Sequence, residues 1–349
     1  MPEYFYDRKK GKHLSREERY EIQRGLREKR TFVEIALMIG CSPDTVSKEI
    51  RNHRYKKPFD SKRVIPNGVS IAIPAVRGIS VTRTLIKKGQ PIAHIMESHR
   101  DEIPCSERTL YTYIGKGYLT ARNADMRRTV RYKKRHRKIE VKVSSRKKVG
   151  HHYRDYQKVL LNEPKIRVVE MDTVEGVKGG KIQQTFFWRE EKLMLSFLLD
   201  SKDMSGTVGT LDYLEECLGR ERFAELFPLI LTDNGTEFAD PELFEYGKDG
   251  NRRTRLYYCE PRRCDQKGAL EKNHEYIRYV LPKGSSFDWL TQEKVLLMIN
   301  HINSTARPGL KGKRPIDLAL QNFGMDVIEK LGLVVILPDD VNLTPSLLK

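Results

Sequence analysis

The chain has 349 residues, enough for about two or three domains with cores of their own. Charged residues make up 32% and hydrophobic residues 38%, a balance that excludes wholesale disorder, and the late apolar run Leu331–Leu337 is far short of the ~20 residues a bilayer span needs. The net charge of +18 is placed unevenly: residues 1–150 hold 37 Lys and Arg against 16 Asp and Glu, whereas residues 151–349 hold 28 against 31. So cationic a front part points to a polyanionic partner, most simply nucleic acid, with a different task for the near-neutral remainder. The opening MPEYFYDRKKGK lacks the apolar stretch of a secretory signal, so a cytoplasmic protein is expected. Five cysteines fit a reducing compartment, and Cys259 with Cys264 has no second pair of ligands to complete a structural zinc site.

Ser15, with Glu18 three residues on, forms a capping box that predicts a helix whose apolar side is Tyr20, Ile22 and Leu26. A second short helix carries Val33, Ile35, Ala36 and Met38 and ends at Gly40. Ser42 and Pro43 then start a third, in which Val46 and Ile50 face inward. That arrangement is a helix-turn-helix, leaving Ser42, Thr45, Ser47, Lys48 and Arg51 as candidate DNA contacts and Asp44 as a local objection. Residues 56–84, rich in Pro and Gly, read as a linker after a first domain over 1–55. Across 85–125, Ile92, Ile95 and Met96, then a cap at Ser106 and Leu110 with Tyr113, suggest a second helix-turn-helix-like module with Arg108, Thr109 and Thr112 outward. A structural helical hairpin is the alternative. Residues 126–160 form a basic linker in which Arg131, Lys133, Lys134 and Arg135 can follow a phosphate backbone with little sequence preference.

The back part reads differently. Around Val168, Val169 and Met171 the chain alternates as a strand that carries Asp172; QTFFWRE and LMLSFLLD follow as two more strands. A helix over Ser205–Leu218, a short apolar strand ending at Asp233, a strand at RLYYCEP and a helix over Lys267–Tyr279 carrying Glu271 complete the order. Each carboxylate also has a plain reading, as a strand end, a DNG turn and a solvated helix charge. Glu175, Glu237 and Asp240 stand near enough in sequence to be substitutes. GVKGGKI has the wrong spacing for a P-loop and no hydroxyl residue after Lys181, so no use of ATP is expected.

The order βββ, α, β, α, β, α resembles the ribonuclease H-like fold. The segments HLSREERYEI, TFVEIALMIGCSPDTVSKEIRNH, TLYTYI, VVEMDTVEG, LTDNGTEFAD, QKGALEKNHEYIRYVLPKG and NSTARPGLKGKRPIDL together resemble transposases of the insertion sequence 30 family, over nearly the whole length. The resemblance implies a multidomain chain: all-α helix-turn-helix DNA-binding modules at the front, an α/β ribonuclease H-like catalytic domain over 161–325, and a C-terminal tail over 326–349. It implies an acidic triad of Asp172, Asp233 and Glu271 that binds Mg²⁺ or Mn²⁺, two ions in all, and cuts and joins DNA strands with no covalent protein intermediate. Its partners are double-stranded DNA, as terminal inverted repeats and as target, and further copies of the chain in a dimer or larger assembly in the cytoplasm at the nucleoid. A non-catalytic or domesticated DNA-binding regulator is the alternative. Two departures from the family pattern stand out: 37 residues separate Asp233 from Glu271, with GKDGNRRTRL as the surplus, and Leu270 stands where Asn usually precedes the Glu.

Overall fold

Ser15 starts the first helix as its pattern predicts: its hydroxyl accepts from the Glu18 amide while the Glu18 carboxylate accepts from the Ser15 amide, and Thr31 with Glu34 repeats the device on the second. These are α1 (Arg16–Arg27), α2 (Phe32–Met38) and α3 (Pro43–His53). In this computed structural model residues 14–28, 30–53, 76–103, 105–116, 121, 125–126, 148–261 and 263–349 are described, and the chain forms two compact units, 1–70 and 71–349. The first unit buries Leu14, Ile22, Ile35, Ala36, Ile39 and Val46. Gly25 lets α1 approach α2, since a Cβ there would meet Ile35 at 2.6 Å, and Arg19 pairs with Glu49 at 2.6 Å to tie α1 to α3. Leu26 and Val33, expected on apolar faces, are exposed; the three short helices meet along too narrow a seam to cover them.

The second unit begins with α4 (Val76–Lys87), α5 (Ile92–Ser98) and α6 (Glu107–Gly115), which bury Leu85, Ile86, Ile92, Ile95, Leu110 and Ile114 against one another. The first of these corrects the expectation of a linker across 56–84. Gly78 does not stop the helix, because Leu85 and Ile86 gain a core to bury in, and tertiary packing overrides a weak propensity. Residues 54–75 of that segment lie outside the described residues.

The rest of the unit is built on a five-stranded sheet in the order β3-β2-β1-β4-β5. The helix α7 (Tyr153–Asn162) precedes β1 (Val169–Glu175), β2 (Ile182–Trp188) and β3 (Leu193–Leu199), which run antiparallel; α8 (Met204–Leu218) and α9 (Arg220–Leu226) lead to β4 (Ile230–Thr232), parallel to β1, and α10 (Pro241–Glu245) to β5 (Leu256–Tyr258), parallel to β4. Then come α11 (Gly268–Val280), α12 (Gln292–Asn303), α13 (Pro315–Phe323) and α14 (Met325–Lys330). Along the chain the order is the expected one, three strands, helix, strand, helix, strand, helix, with α8 and α9 together filling the first helical place. GVKGGK joins antiparallel β1 to β2 and opens no helix.

Both faces of the sheet are buried, which is why its strands read as near-continuous apolar runs. Ile230, Leu256 and Tyr258 face the main core with Trp188, Leu211, Phe223 and Phe227; the alternate residues Leu229, Leu231 and Tyr257 face Tyr156 of α7. Neither sheet edge is left open. The Asn303 amide group accepts from the Met194 amide at 3.0 Å and donates to its carbonyl at 2.7 Å, Gln292 does the same for Leu198 and Ser196, and at the other edge the Tyr258 amide donates to the His151 carbonyl at 2.8 Å. Residues 148–160, expected within a basic linker, thus belong to the sheet's edge and one face. The expected tail is also part of the body: Leu331, Leu333, Val341, Leu343 and Leu348 enter the main core, and α12 side chains hold its backbone, Asn300 at Val334, Ser304 at Ile336 and His301 at Asn342. No helix of the described residues is long and apolar enough to cross a membrane.

Two positions test this packing. Gly176, at the end of β1, lies against the Ser285 carbonyl oxygen and would place a Cβ 2.9 Å from the Phe287 ring, so Gly176→Ala should destabilise the unit by about 1–3 kcal/mol, read as a drop of several degrees in the melting midpoint. His274 is half-buried with its Nε2 2.9 Å from the Thr185 hydroxyl; desolvation of the ring first, then the Lys267 and Arg278 charges, pull its pKa from 6.5 down to about 3. Between those values the unfolded chain binds the extra proton, so stability falls as pH drops below about 6.5, by up to about 1.36 kcal/mol per pH unit from this group. Urea titrations at about pH 5 and about pH 7 should show that slope in the wild type and a shallower one in His274→Gln; equal slopes would contradict it.

Candidate functional site

The pairing of β1 with β4 is parallel and sets Val169 opposite Ile230 and Glu170 opposite Leu231. Two residues further along each strand come Asp172 and Asp233, so equal steps carry both carboxylates to one level and one face of neighbouring strands about 4.8 Å apart. They feel each other: burial holds the Asp172 carboxyl above its ordinary range, the Lys267 ammonium opposes that, and the Asp233 charge adds to it. Asp233 is fixed by a turn of its own, accepting from the Gly235 amide at 3.0 Å, and the neighbouring Asn234 side chain donates to the Cys259 carbonyl at 2.6 Å.

A lysine that composition alone does not single out stands between them. Lys267 Nζ is 3.1 Å from Asp172 Oδ2 and 3.3 Å from the Met171 carbonyl oxygen, and the side chain is buried. Desolvation works against its charge, yet Asp172 and Asp233 together raise its pKa. An ammonium paired with one carboxylate and near a second keeps its proton. Lys148 adds a second cation nearby, 3.2 Å from Asn234 Oδ1 and over the Tyr258 ring; burial lowers its pKa while Asp233 and Glu237 raise it.

The start of α11 is anchored by a buried ion pair. Glu170 accepts from Arg189 Nε at 2.5 Å and from the Leu270 amide at 2.9 Å; Arg189 donates in turn to the Tyr156 hydroxyl at 2.7 Å and to the Gln266 carbonyl at 3.0 Å. The Glu170 clamp places Lys267 under the carboxylates and puts Glu271 in the first turn of α11. Leu270, the departure noted above, faces the core and uses only its backbone here. Glu271 itself is exposed, and among the described residues it has no hydrogen-bond or ion-pair partner. Its stripe along the helix, through Glu275 to Arg278, does border β1: Arg278 Nη2 donates to the Glu175 carbonyl at 2.8 Å.

Of the substitutes, Glu237 is buried, accepts from the Thr173 hydroxyl at 2.8 Å and pairs with Lys202 at 3.2 Å, and keeps one oxygen without a partner. Lys202 also pairs with Glu175 at 3.0 Å. The surplus after Asp233 closes as a turn bridging Tyr246 to Arg252, behind which Arg253 is buried against Asp212 at 2.6 Å and Glu215 at 3.1 Å. The structure therefore brings Asp172 and Asp233 together and leaves Glu271 at the rim. Among the described residues no group of three or more His, Cys, Asp or Glu is close enough to hold one ion. The donor set that does meet is two carboxylates, which suits a hard divalent cation. Cys259, buried, has its thiol pushed up to about 12 by burial.

The expected DNA contacts divide. On α3, the Ser42 hydroxyl is spent on the Thr45 amide and hydroxyl, Ser47 is half-buried and Lys48 is exposed; on α6, Arg108 and Thr112 are exposed, with the Thr109 hydroxyl turned back to Ser106. The Arg51 side chain and Arg131, Lys133, Lys134 and Arg135 lie outside the described residues.

Residues 10–53 match the family described as helix-turn-helix domain. A probable transposase for the insertion-like sequence element IS1161 of Streptococcus salivarius is 25% identical over 333 residues, 85% of this chain and 91% of that one. The transposase InsI for insertion sequence element IS30C of Escherichia coli (strain K12) is 24% identical over 329 residues, 88% and 83% of the two chains. The catalytic core domain of BIV integrase, a crystal structure, aligns to 45% of this chain and 95% of its own with a TM-score of 0.32 and 16% identity. The relatives this chain resembles along most of its length are thus insertion sequence 30-family transposases.

Proposed function

We propose that the chain is a DNA transposase whose reaction is phosphoryl transfer between DNA strands at Asp172, Asp233 and Glu271. The observation that carries the reading is the β1–β4 register, which levels two carboxylates on adjacent strands beside a buried lysine. A divalent Mg²⁺ or Mn²⁺ bound there supplies the positive charge that an in-line displacement at phosphorus needs. The residues do the rest. Glu170 and Arg189 fix the start of α11, Arg278 holds that helix along β1, and Lys267 and Lys148 keep the pocket positive enough to admit a phosphodiester. Water attacks phosphorus at the element's end and the 3′ oxygen leaves as a hydroxyl; that hydroxyl attacks a target phosphodiester in the same way.

The helix-turn-helix of the first unit would read terminal inverted repeats through Ser42, Thr45, Ser47, Lys48 and Arg51, with Arg108, Thr109 and Thr112 of α6 adding contacts and the basic stretch at Arg131, Lys133, Lys134 and Arg135 following phosphates. Two ends must meet, so a dimer or larger assembly on DNA follows, acting in the cytoplasm at the nucleoid without ATP. The second reading, a DNA-binding regulator without chemistry, draws on the exposed Glu271 and on the lysine already paired with Asp172.

Nicking of duplexes carrying the element's ends separates the two. With Mg²⁺ the wild type should cut, and Asp172→Asn or Asp233→Asn should cut at least about a hundredfold more slowly; equal cutting by all three removes the enzyme, and none by any leaves the regulator. Heat unfolding gives a readout independent of turnover: Mg²⁺ at a hundred times its Kd should stabilise the wild type by about 2.7 kcal/mol and leave Asp172→Asn nearly unmoved.

A further inference from the structure

We infer that the cleft between the end of α4 and the last residues of the chain is a phosphate-binding groove that holds the backbone of the DNA this protein acts on; the inference rests on the transposase reading. The cleft has a volume of about 490 Å³. One wall presents Arg83, Lys87 and Lys88, the other Asn342, Thr344 and Ser346, and no carboxylate lines it. Cationic side chains facing a wall without carboxylates suit phosphate oxygens, and Arg83 and Lys87 are exposed with no carboxylate partner among the described residues. The three cations of one wall come from the strongly basic front part of the chain, whereas the other wall is supplied by its near-neutral end.

The groove is held open by its own bonding. Lys88 Nζ donates to the Asp339 carbonyl at 2.7 Å, the Leu343 amide donates to the Lys88 carbonyl at 2.8 Å, and the Gln90 side chain donates to the Pro338 and Val341 carbonyls at 2.9 and 2.8 Å. Between the walls Gly89 takes a φ of +72°, and a Cβ there would meet the Leu343 carbonyl oxygen at 2.8 Å, so the turn that sets their separation needs glycine. On the far wall Asn342 Oδ1 accepts from the Thr344 amide and hydroxyl, and the Thr344 and Ser346 hydroxyls lie 2.7 Å apart, so this wall is ordered by its own hydrogen bonds and uncharged, and the cations opposite are left to meet a phosphate. The carbonyls of Thr84, Leu85 and Ile86 at the negative end of α4 accept from the amides of Lys88, Gln90 and Gly89, which removes most of the repulsion an anion would meet there. The Asp339 carboxylate is turned away to His99 Nε2 at 2.7 Å.

A free phosphate ion would find the same donors, so the test separates the two sources. Binding of full-length protein to a fluorescent duplex is measured across about 50 to 200 mM salt for the wild type, for Arg83→Gln with Lys87→Gln, and for the charge-preserving pair Arg83→Lys with Lys87→Arg. Loss of two phosphate contacts should flatten the slope of log affinity against log salt by about 1.8, weaken binding at low salt for end and unrelated sequences alike, and leave the charge-preserving pair near wild type. Melting midpoints confirm that these exposed substitutions leave the fold intact. An unchanged slope, with wild-type DNA binding and nicking present, overturns the groove alone. So does an unchanged slope combined with inorganic phosphate raising the melting midpoint of wild type but not of the Gln pair, which would make it a free-phosphate site. A wild type that binds no duplex overturns the transposase reading and the groove with it.

Discussion

The arrangement of the site depends on one buried ion pair, Glu170 with Arg189. Taking two charges out of water is costly, and such a pair is tolerated only where every remaining polar atom is satisfied. Here it is: both carboxylate oxygens are used, one by the guanidinium and one by the Leu270 amide, and the guanidinium reaches on to Tyr156 and the Gln266 carbonyl. A single network therefore joins α7, β1, the end of β2 and the start of α11. The elements that carry Asp172, Lys267 and Glu271 are held by it, and removing Arg189 would leave the buried Glu170 charge uncompensated, at a cost of about 3–5 kcal/mol.

What the network positions is a set of opposed charges. Burial beside Asp233 makes Asp172 resist ionising, while Lys267 keeps its proton because Asp172 and Asp233 both favour it. Lys148 adds a second cation near Asp233, so the two strand carboxylates lie among nearby positive charges. The unpartnered oxygen of Glu237 just behind Thr173 adds an acceptor of the hard kind that small divalent cations prefer.

Much of this was legible residue by residue, and the failures have physical causes. The Ser15–Glu18 box, the alternation around Met171 and the turn at Asp233 are local signals, and local signals are what a sequence displays. Asp172 and Asp233 could be named from them, although their shared level is a property of strand register. Glu170 was hidden in plain view as a charge inside an apolar strand, a place where a carboxylate survives only with a dedicated partner. Lys267 read as an ordinary basic residue because its partner lies 95 positions upstream. The helix α4 and the C-terminal segment were misjudged for the same reason: Leu85, Ile86, Leu333 and Leu343 are sparse apolar residues whose burial depends on elements far away in the chain.

That last dependence explains why the two helical modules are built so differently. In the first unit α1 and α2 are each closed by a capping box, and the helices bury their seam against one another. In the second module α5 has the same seven residues as α2 but starts with no side-chain cap, which is marginal without outside support. Its support is the chain's own end. His94 shows the coupling: Nδ1 accepts from the Ala306 amide, which leaves Nε2 as the donor to the Pro338 carbonyl, so one buried ring joins α5 to both the loop after α12 and the terminal segment. Because α12 in turn holds the edge of β3 through Gln292 and Asn303, the module is connected through hydrogen bonds to the sheet that bears the carboxylates. A contact made on α4 to α6 is thereby referred to the same hydrogen-bonded frame as Asp172 and Asp233.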